Sequence, residues 1–259
     1  MIIERHIQVL ALLMVVSAGA GAIRGQAQQA PATPEKKPQW ESSVAAGVTF
    51  TRGNSDTLLA SLAATTGKKW DQNELSFGVG GTYGETKQSP ATNYTVNANS
   101  AAAFAQYNRL VTEHLYGYAH VDAMYDDAAS VKYRVTLSPG AGYYFIKEKK
   151  MDLSAELGPG YVFQRLGTDN SSFATLRVGE KYHLQFSDRA RFWETVDWMP
   201  QVDKFKNYII NAEIGIEADL TQDKRLRLRS SLQDTYNNVP AADHLKNDAK
   251  LITAIAYKF

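Results

Sequence analysis

From Trp40 onward, apolar and polar residues alternate with a period of two. That spacing places successive side chains on opposite faces of a β-strand. No segment beyond Trp40 carries a 3.6-residue apolar stripe, and no apolar run there approaches the length of a membrane-spanning helix. The first predicted strand runs from Trp40 to Thr51. Arg52-Gly53-Asn54-Ser55-Asp56 follows as a tight turn, where Gly and Asn tolerate positive φ. The third strand sets Leu75, Phe77, Val79 and Tyr83 against Glu74, Ser76 and Thr82. The fourth sets Tyr94, Val96, Ala98 and Phe104 against Asn93, Thr95, Asn97 and Asn99, so its apolar parity is even. The sixth sets Val131, Tyr133, Val135 and Leu137 against Lys132, Arg134, Thr136 and Ser138. The last places Leu251, Ile255, Tyr257 and Phe259 on one face and Lys250, Ala254, Ala256 and Lys258 on the other.

The full pattern predicts about 12 strands, each about 10 to 14 residues long, where a tilted membrane-crossing strand needs about 9 to 11 and a soluble strand averages about 5 to 6. Connections near Asp71, Thr112, Lys149, Asp188 and Gln222 are short and charged. Those near Pro90, Asp169, Asp203 and Val239 read as longer and rich in Pro, Asn and Ser. Short turns on one side, longer loops on the other and an even strand number describe an outer-membrane barrel. The fold class predicted is all-β, a transmembrane antiparallel β-barrel, with both chain ends on the periplasmic side. Tyr83, Tyr94, Phe104, Tyr125, Tyr143, Phe145, Phe163 and Phe186 sit towards strand ends on the apolar parity, as interfacial girdles do.

The N-terminus agrees with an envelope protein. Arg5 and His6 precede an apolar run from Ile7 to Val16, and small residues follow. This reads as a secretory signal over residues 1–27, with cleavage after Ala20, Ala22 or Ala27, of which Ala27 is favoured. Residues 28–39, made of Gln, Ala, Pro and Lys with few other residues, read as a flexible periplasmic tether, and residues 40–259 as the barrel. A net charge of +1 argues against nucleic acid as the main partner. With no cysteine, disulfides, thiolate metal sites and a Cys nucleophile are excluded.

If the apolar parity faces lipid, the other lines the bore. There the tenth and eleventh strands set Glu213, Glu217 and Asp219 against Arg225, Arg227 and Arg229. A tight turn pairs Asp219 with Arg225 and Glu217 with Arg227. A register two residues longer pairs Asp219 with Arg227 and Glu217 with Arg229. The fifth and sixth strands repeat the theme, with Asp122 and Asp126 across from Lys132 and Arg134, and Arg177 adds a further inward cation. A charge on the lipid face would cost roughly 2 to 4 kcal/mol at mid-depth, against about 0.2 to 1 kcal/mol gained per opposed ion pair. Keeping these charges inward therefore matters more than how well they pair. Because the signs nearly cancel, the belt reads first as an ion-paired brace and second as a selectivity lining.

Glu180 and Glu194 break the pattern by falling on the apolar parity, and either bulges or proximity to a mouth would accommodate them. Pro139 and Pro159, each beside glycines, predict kinks. There is no G-x-S-x-G, no H-E-x-x-H and no phosphate-binding glycine loop. His120, with Asp122 and Ser138 nearby on the inward parity, is the one candidate for hydrolytic chemistry or a metal ligand, and it is a weak one. No catalytic residue, metal site or cofactor is predicted.

Several short motifs carry a family resemblance. They are Arg52-Gly53-Asn54-Ser55-Asp56-Thr57, the stretch from Asp122 to Arg134, Pro200 with Tyr208, Glu213 and Gly215, and Tyr236 with Pro240, Asp248 and the closing Tyr257-Lys258-Phe259. In order and spacing they resemble the YdiY-like family of Gram-negative outer-membrane proteins, a domain of unknown function also described as salt-induced. The resemblance covers nearly everything from Trp40 on. It implies an outer-membrane barrel and no substrate. Leu251, Ile255, Tyr257 and Phe259 also resemble the signal read by the barrel-assembly machinery.

The expected partners are outer-membrane lipid, the assembly machinery during biogenesis, and small solutes if the bore is open. Three functions stay open: a structural or stress-related envelope protein, a small-solute channel, and an enzyme acting on envelope lipid, the last the weakest.

Overall fold

The computed structural model describes residues 40–51, 55–88 and 93–259. The signal, the tether, Arg52-Gly53-Asn54 and most of the loop holding Pro90 lie outside these residues. Twelve strands follow in chain order: β1 (Glu41–Thr51), β2 (Ser55–Trp70), β3 (Asn73–Gln88), β4 (Thr95–Leu110), β5 (Leu115–Asp126), β6 (Val131–Lys147), β7 (Met151–Leu166), β8 (Asp169–Ser187), β9 (Ala190–Gln201), β10 (Lys204–Asp219), β11 (Leu226–Asn237) and β12 (Asn247–Lys258). Each pairs antiparallel with its chain neighbours, and β12 returns to β1 to close the barrel. Closure removes the unpaired edges that an open sheet would present. The seam sets Ser43, Val44, Ala45 and Ala46 against Lys258, Tyr257, Ala256 and Ile255.

The distribution of polarity is inverted relative to a soluble domain. Val48, Leu62, Val79, Leu157, Ile216 and Leu251 point outward and are each more than half exposed. Among the described residues, those that are buried are more often polar or charged than hydrophobic, and they include Arg134, Glu156, Arg177, Glu217, Asp219 and Arg227. Backbone hydrogen bonds satisfied around a closed ring, with apolar side chains outside and polar ones inside, match what a bilayer requires of a spanning sheet.

Three expectations about local structure are corrected. First, the turns at residues 167–168 and 202–203 are two residues long, so the expected long loops near Asp169 and Asp203 are absent. Second, bulges do not coincide with the prolines. Pairing of β6 with β7 keeps one register on either side of Pro139, from Leu137↔Tyr161 to Ala141↔Leu157. Register shifts appear instead at Asn97, between Gly84↔Ala98 and Glu85↔Val96, and at Lys132, between Val131↔Leu166 and Tyr133↔Arg165.

Third, these bulges reverse side-chain parity. Val96 remains outside, but Ala98 and Phe104 turn inward, and Val131 is buried inside at 4% exposure. Phe104 therefore belongs to the lumen and not to an aromatic girdle. Glu180 and Glu194 stay on the outward parity, opposite Val196 and Tyr182, because no bulge in β8 or β9 lies between them and their partners.

Candidate functional site

The lumen has two unlike walls. Along the middle of β1–β3 the inward residues are small: Ala45, Gly47, Ser61, Ala63, Ser76, Gly78 and Gly80 follow from the register. Along β5–β11 they are large or charged, and they meet in three groups.

The first group centres on Glu156 of β7, which is 2% exposed. One carboxylate oxygen accepts from Gln106 Nε2 at 2.7 Å, Lys181 Nζ at 2.9 Å and Tyr116 Oη at 3.0 Å. The other accepts from Arg177 Nη1 at 2.7 Å. Arg177 also lies 2.7 Å from Asp197 and stacks over the Tyr118 ring at 5.3 Å. Side chains from β4, β5, β7 and β8 thus converge on one carboxylate, and two cations face two anions. Charge-assisted bonds of this kind are about twice as strong as neutral ones, and in a desolvated site a missing partner is correspondingly expensive.

Glycine makes room for this group. Tyr116 lies directly across from Gly142 and Tyr118 across from Gly140. Each ring occupies the space that a Cβ on its partner glycine would fill. The same relation joins Phe104 to Gly78 and Trp193 to Gly215.

The second group lies on β9–β11. The observed register pairs Asp219 with Arg227 and Glu217 with Arg229, the longer of the two alternatives, because residues 220–225 form the turn. Arg227 reaches Glu217 at 2.9 Å and Asp219 at 3.1 Å, and Arg191 reaches Asp219 at 2.7 Å. Arg229 lies 3.4 Å from Glu213 and 4.4 Å over the Trp193 ring, whose Nε1 donates to Glu213 at 3.1 Å. The third group bridges the bore: Lys250 of β12 pairs with Asp126 of β5 and donates to Ser100 of β4 at 3.2 Å. On the same rim Ser130 Oγ lies 3.0 Å from His244 Nε2, joining the β5–β6 turn to the loop before β12.

Several predicted residues sit differently from expectation. Arg225 is in the turn, exposed, 3.9 Å from Asp223 and within reach of the outward Tyr257 hydroxyl, so it lines no bore. A hydrogen bond from Thr221 and one from the Arg225 backbone N–H hold the Asp223 carboxyl below the usual carboxylate range. The acid–base ladder expected between β5 and β6 is not formed: the register sets Arg134 across from Met124, and the bulge at Lys132 takes that residue away from Asp126. Asp122 lies across from Thr136 and Asp126 across from Val131. Lys132 instead pairs at 2.7 Å with Asp127 in the turn and keeps that carboxyl low.

Arg134 is inward and 2% exposed, bonded to Gln164 Oε1 at 2.9 Å. Leu251, Ile255, Tyr257 and Phe259 are all exposed on the outward face, with the last two rings packed edge to face at 5.2 Å.

His120, Asp122 and Ser138 do come close. Ser138 lies across from His120, and Asp122 Oδ1 is 3.5 Å from His120 Nε2. A hydrolytic triad needs the imidazole bonded to the hydroxyl. The Ser138 hydroxyl bonds neither ring nitrogen, and Nδ1 is held by Gln106 at 3.1 Å.

Glu156, Lys181, Gln106, Tyr116, Asp197, Arg191 and Lys250 were not singled out from sequence as site residues. Their inward parity is legible there, but alternation does not say which strands meet across a bore.

A closed barrel with a charged interior is the form in which the family relationship appears. The family "Protein of unknown function, DUF481" matches residues 44–259, and the chain belongs to it. The YdiY-like resemblance is consistent with this family. No curated protein matches the chain.

Among solved structures, the chain is similar to a KdgM porin in complex with disordered oligogalacturonate, at 6% identity over 85% of this chain and 99% of that one, TM-score 0.45. It is similar to the translocator domain of the autotransporter NalP from Neisseria meningitidis, at 12% identity over 86% and 88%, TM-score 0.43. A third likeness is to the COG4313 outer membrane channel from Pseudomonas putida F1, at 12% identity over 90% and 100%, TM-score 0.43. The likeness is one of barrel form alone.

Proposed function

We infer that this protein is an outer-membrane β-barrel of the Gram-negative envelope, with an interior braced by ion pairs and a structural or stress-related role. The carrying observation is the Glu156 group: four strands are tied to one buried carboxylate, with charges that cancel locally. A solute lining would leave charged groups facing water, whereas Glu156 and Arg177 are 2% and 1% exposed. Outer-membrane lipid would contact the outward belt. Leu251, Ile255, Tyr257 and Phe259 would serve as the signal for the barrel-assembly machinery.

The test is conductance of the purified barrel in planar bilayers, where silence at all voltages is expected. The second reading, a small-solute channel, draws on the small-residue wall along β1–β3. Steady ion-selective conductance that weakens in Arg227→Gln would establish it in place of the first. The membrane assignment itself fails if the mature chain fractionates as soluble without detergent.

A further inference from the structure

Beside the small-residue wall one lumenal aromatic side chain is not buried. Phe104 faces inward yet is 40% exposed. The inward Ala102 beside it is exposed as well. Gly78 lies across from Phe104, and the next inward residue of β3 is Gly80, so the wall there has little side chain. On its other side Phe104 pairs with Asp122. The Asp122 side chain is 30% exposed; its Oδ1 lies 3.5 Å from His120 Nε2, and Arg134 acts on it electrostatically from further off. The His120 ring stacks with Phe104, at 6.4 Å between centroids and 19° between planes.

The hydrogen bonds place one proton of His120. Lys181, which can only donate, bonds Gln106 Oε1 at 2.8 Å, and the Glu156 carboxylate, which can only accept, bonds Gln106 Nε2 at 2.7 Å. The Gln106 oxygen is therefore the atom facing His120 Nδ1, and Nδ1 carries the proton. In the neutral ring Nε2 is then an acceptor turned towards another acceptor, Asp122. Two acceptors and a part-exposed aromatic ring thus adjoin one another on the lumenal face. That set suits a ligand with N–H donors and a positive charge, since ammonium groups bind both carboxylates and ring faces.

We propose that Phe104, His120 and Asp122 form a lumenal binding site for small organic cations bearing a primary ammonium group. The ammonium donates to the Asp122 carboxylate and to His120 Nε2, and its alkyl stem lies along the Phe104 ring. This site goes beyond the braced-barrel reading and does not need a through-going bore.

The test is NMR of the histidine ring nitrogens in the full barrel in detergent micelles at pH 8, titrated with n-butylammonium chloride and, separately, with n-butanol. A saturable shift at His120 with the amine and none with the alcohol is expected. Asp122→Asn should weaken binding about tenfold or more, and Phe104→Leu, which keeps the position apolar, by about two- to thirtyfold. Folding of each variant is checked by the altered gel mobility of the unheated barrel, and His120→Gln serves as a further variant if Asp122→Asn does not fold.

The proposal is overturned by equal response to amine and alcohol, by no saturable shift, or by amine binding that is undiminished in the variants. It is also overturned if both His120 nitrogens are protonated in the free protein, which would make the pair an ordinary imidazolium–carboxylate bridge. Bilayer conductance plays no part in this readout, so failure of the ammonium site and failure of the braced-barrel reading are separable.

Discussion

Tyr116 lies directly across the β5–β6 ladder from Gly142, and its ring fills the space a Cβ on Gly142 would take. The ring packs at 4.9 Å on Tyr144, and its hydroxyl donates to Glu156. Gly142→Ala therefore requires Tyr116, itself 1% exposed, to move off its rotamer and away from that carboxylate. A loss of about 1 to 3 kcal/mol is expected, the usual penalty for overpacking. Urea unfolding from lipid vesicles measures it. An unchanged midpoint would show that the ring has room to spare.

Glu156 offers a sharper test of the brace. Glu156→Gln removes the carboxylate in direct contact with Lys181 and one of the two in contact with Arg177. Breaking a buried pair from one side typically costs about 3 to 5 kcal/mol. Asp197, which stays beside Arg177, should hold the loss to the lower end of that range. The double variant Glu156→Gln with Lys181→Met should recover part of it, because Lys181 would no longer be left unpaired. Unfolding free energies of the two single variants and the double variant give the coupling directly.

How far the sequence carried this picture differs from strand to strand. In β12 the period-two pattern alone assigns Leu251, Ile255 and Tyr257 to the outer face, and the register leaves that intact. In β10 and β11 it left two registers, and only the length of the turn at residues 220–225 selects between them. In β4 the extra residue at Asn97, and in β6 that at Lys132 (one of two shifts along β6), reverse the alternation across the bulge. Neither carries a proline or glycine to announce it. The Glu156 group was out of reach for a different reason. Alternation reports inside or outside, whereas the meeting of Gln106 with Glu156 depends on how the whole ring closes.

The Lys250–Asp126 bridge spans the bore between strands that are not neighbours. Lys250→Met should remove the bridge and the bond to Ser100, leaving more open space above Ala102. The absence of native cysteine permits a clean measurement. A cysteine introduced at Ala102 should react several-fold faster with a membrane-impermeant thiol reagent in the Lys250→Met background. Equal rates would mean that the bridge does not restrict this mouth.

Leu62 and Ala63 are adjacent in the middle of β2 and face opposite ways. Leu62 pairs with Ala46 and Gly81 on the outer wall and is 61% exposed, while Ala63 pairs with Ala45 and Gly80 inside. In a bilayer that exposure is to hydrocarbon, where an Arg at mid-depth costs roughly 2 to 4 kcal/mol. Leu62→Arg should thus destabilise the barrel in phospholipid vesicles by that amount. Ala63→Ser, which adds a hydroxyl to a face already carrying Ser61 and Thr65, should stay within about 0.5 kcal/mol of the parent. The contrast is the informative quantity, since a soluble sheet would tolerate a surface arginine at Leu62 at least as well as a change at Ala63. Parallel unfolding of both variants in vesicles therefore reads out, through two neighbouring residues, which face of the sheet meets lipid.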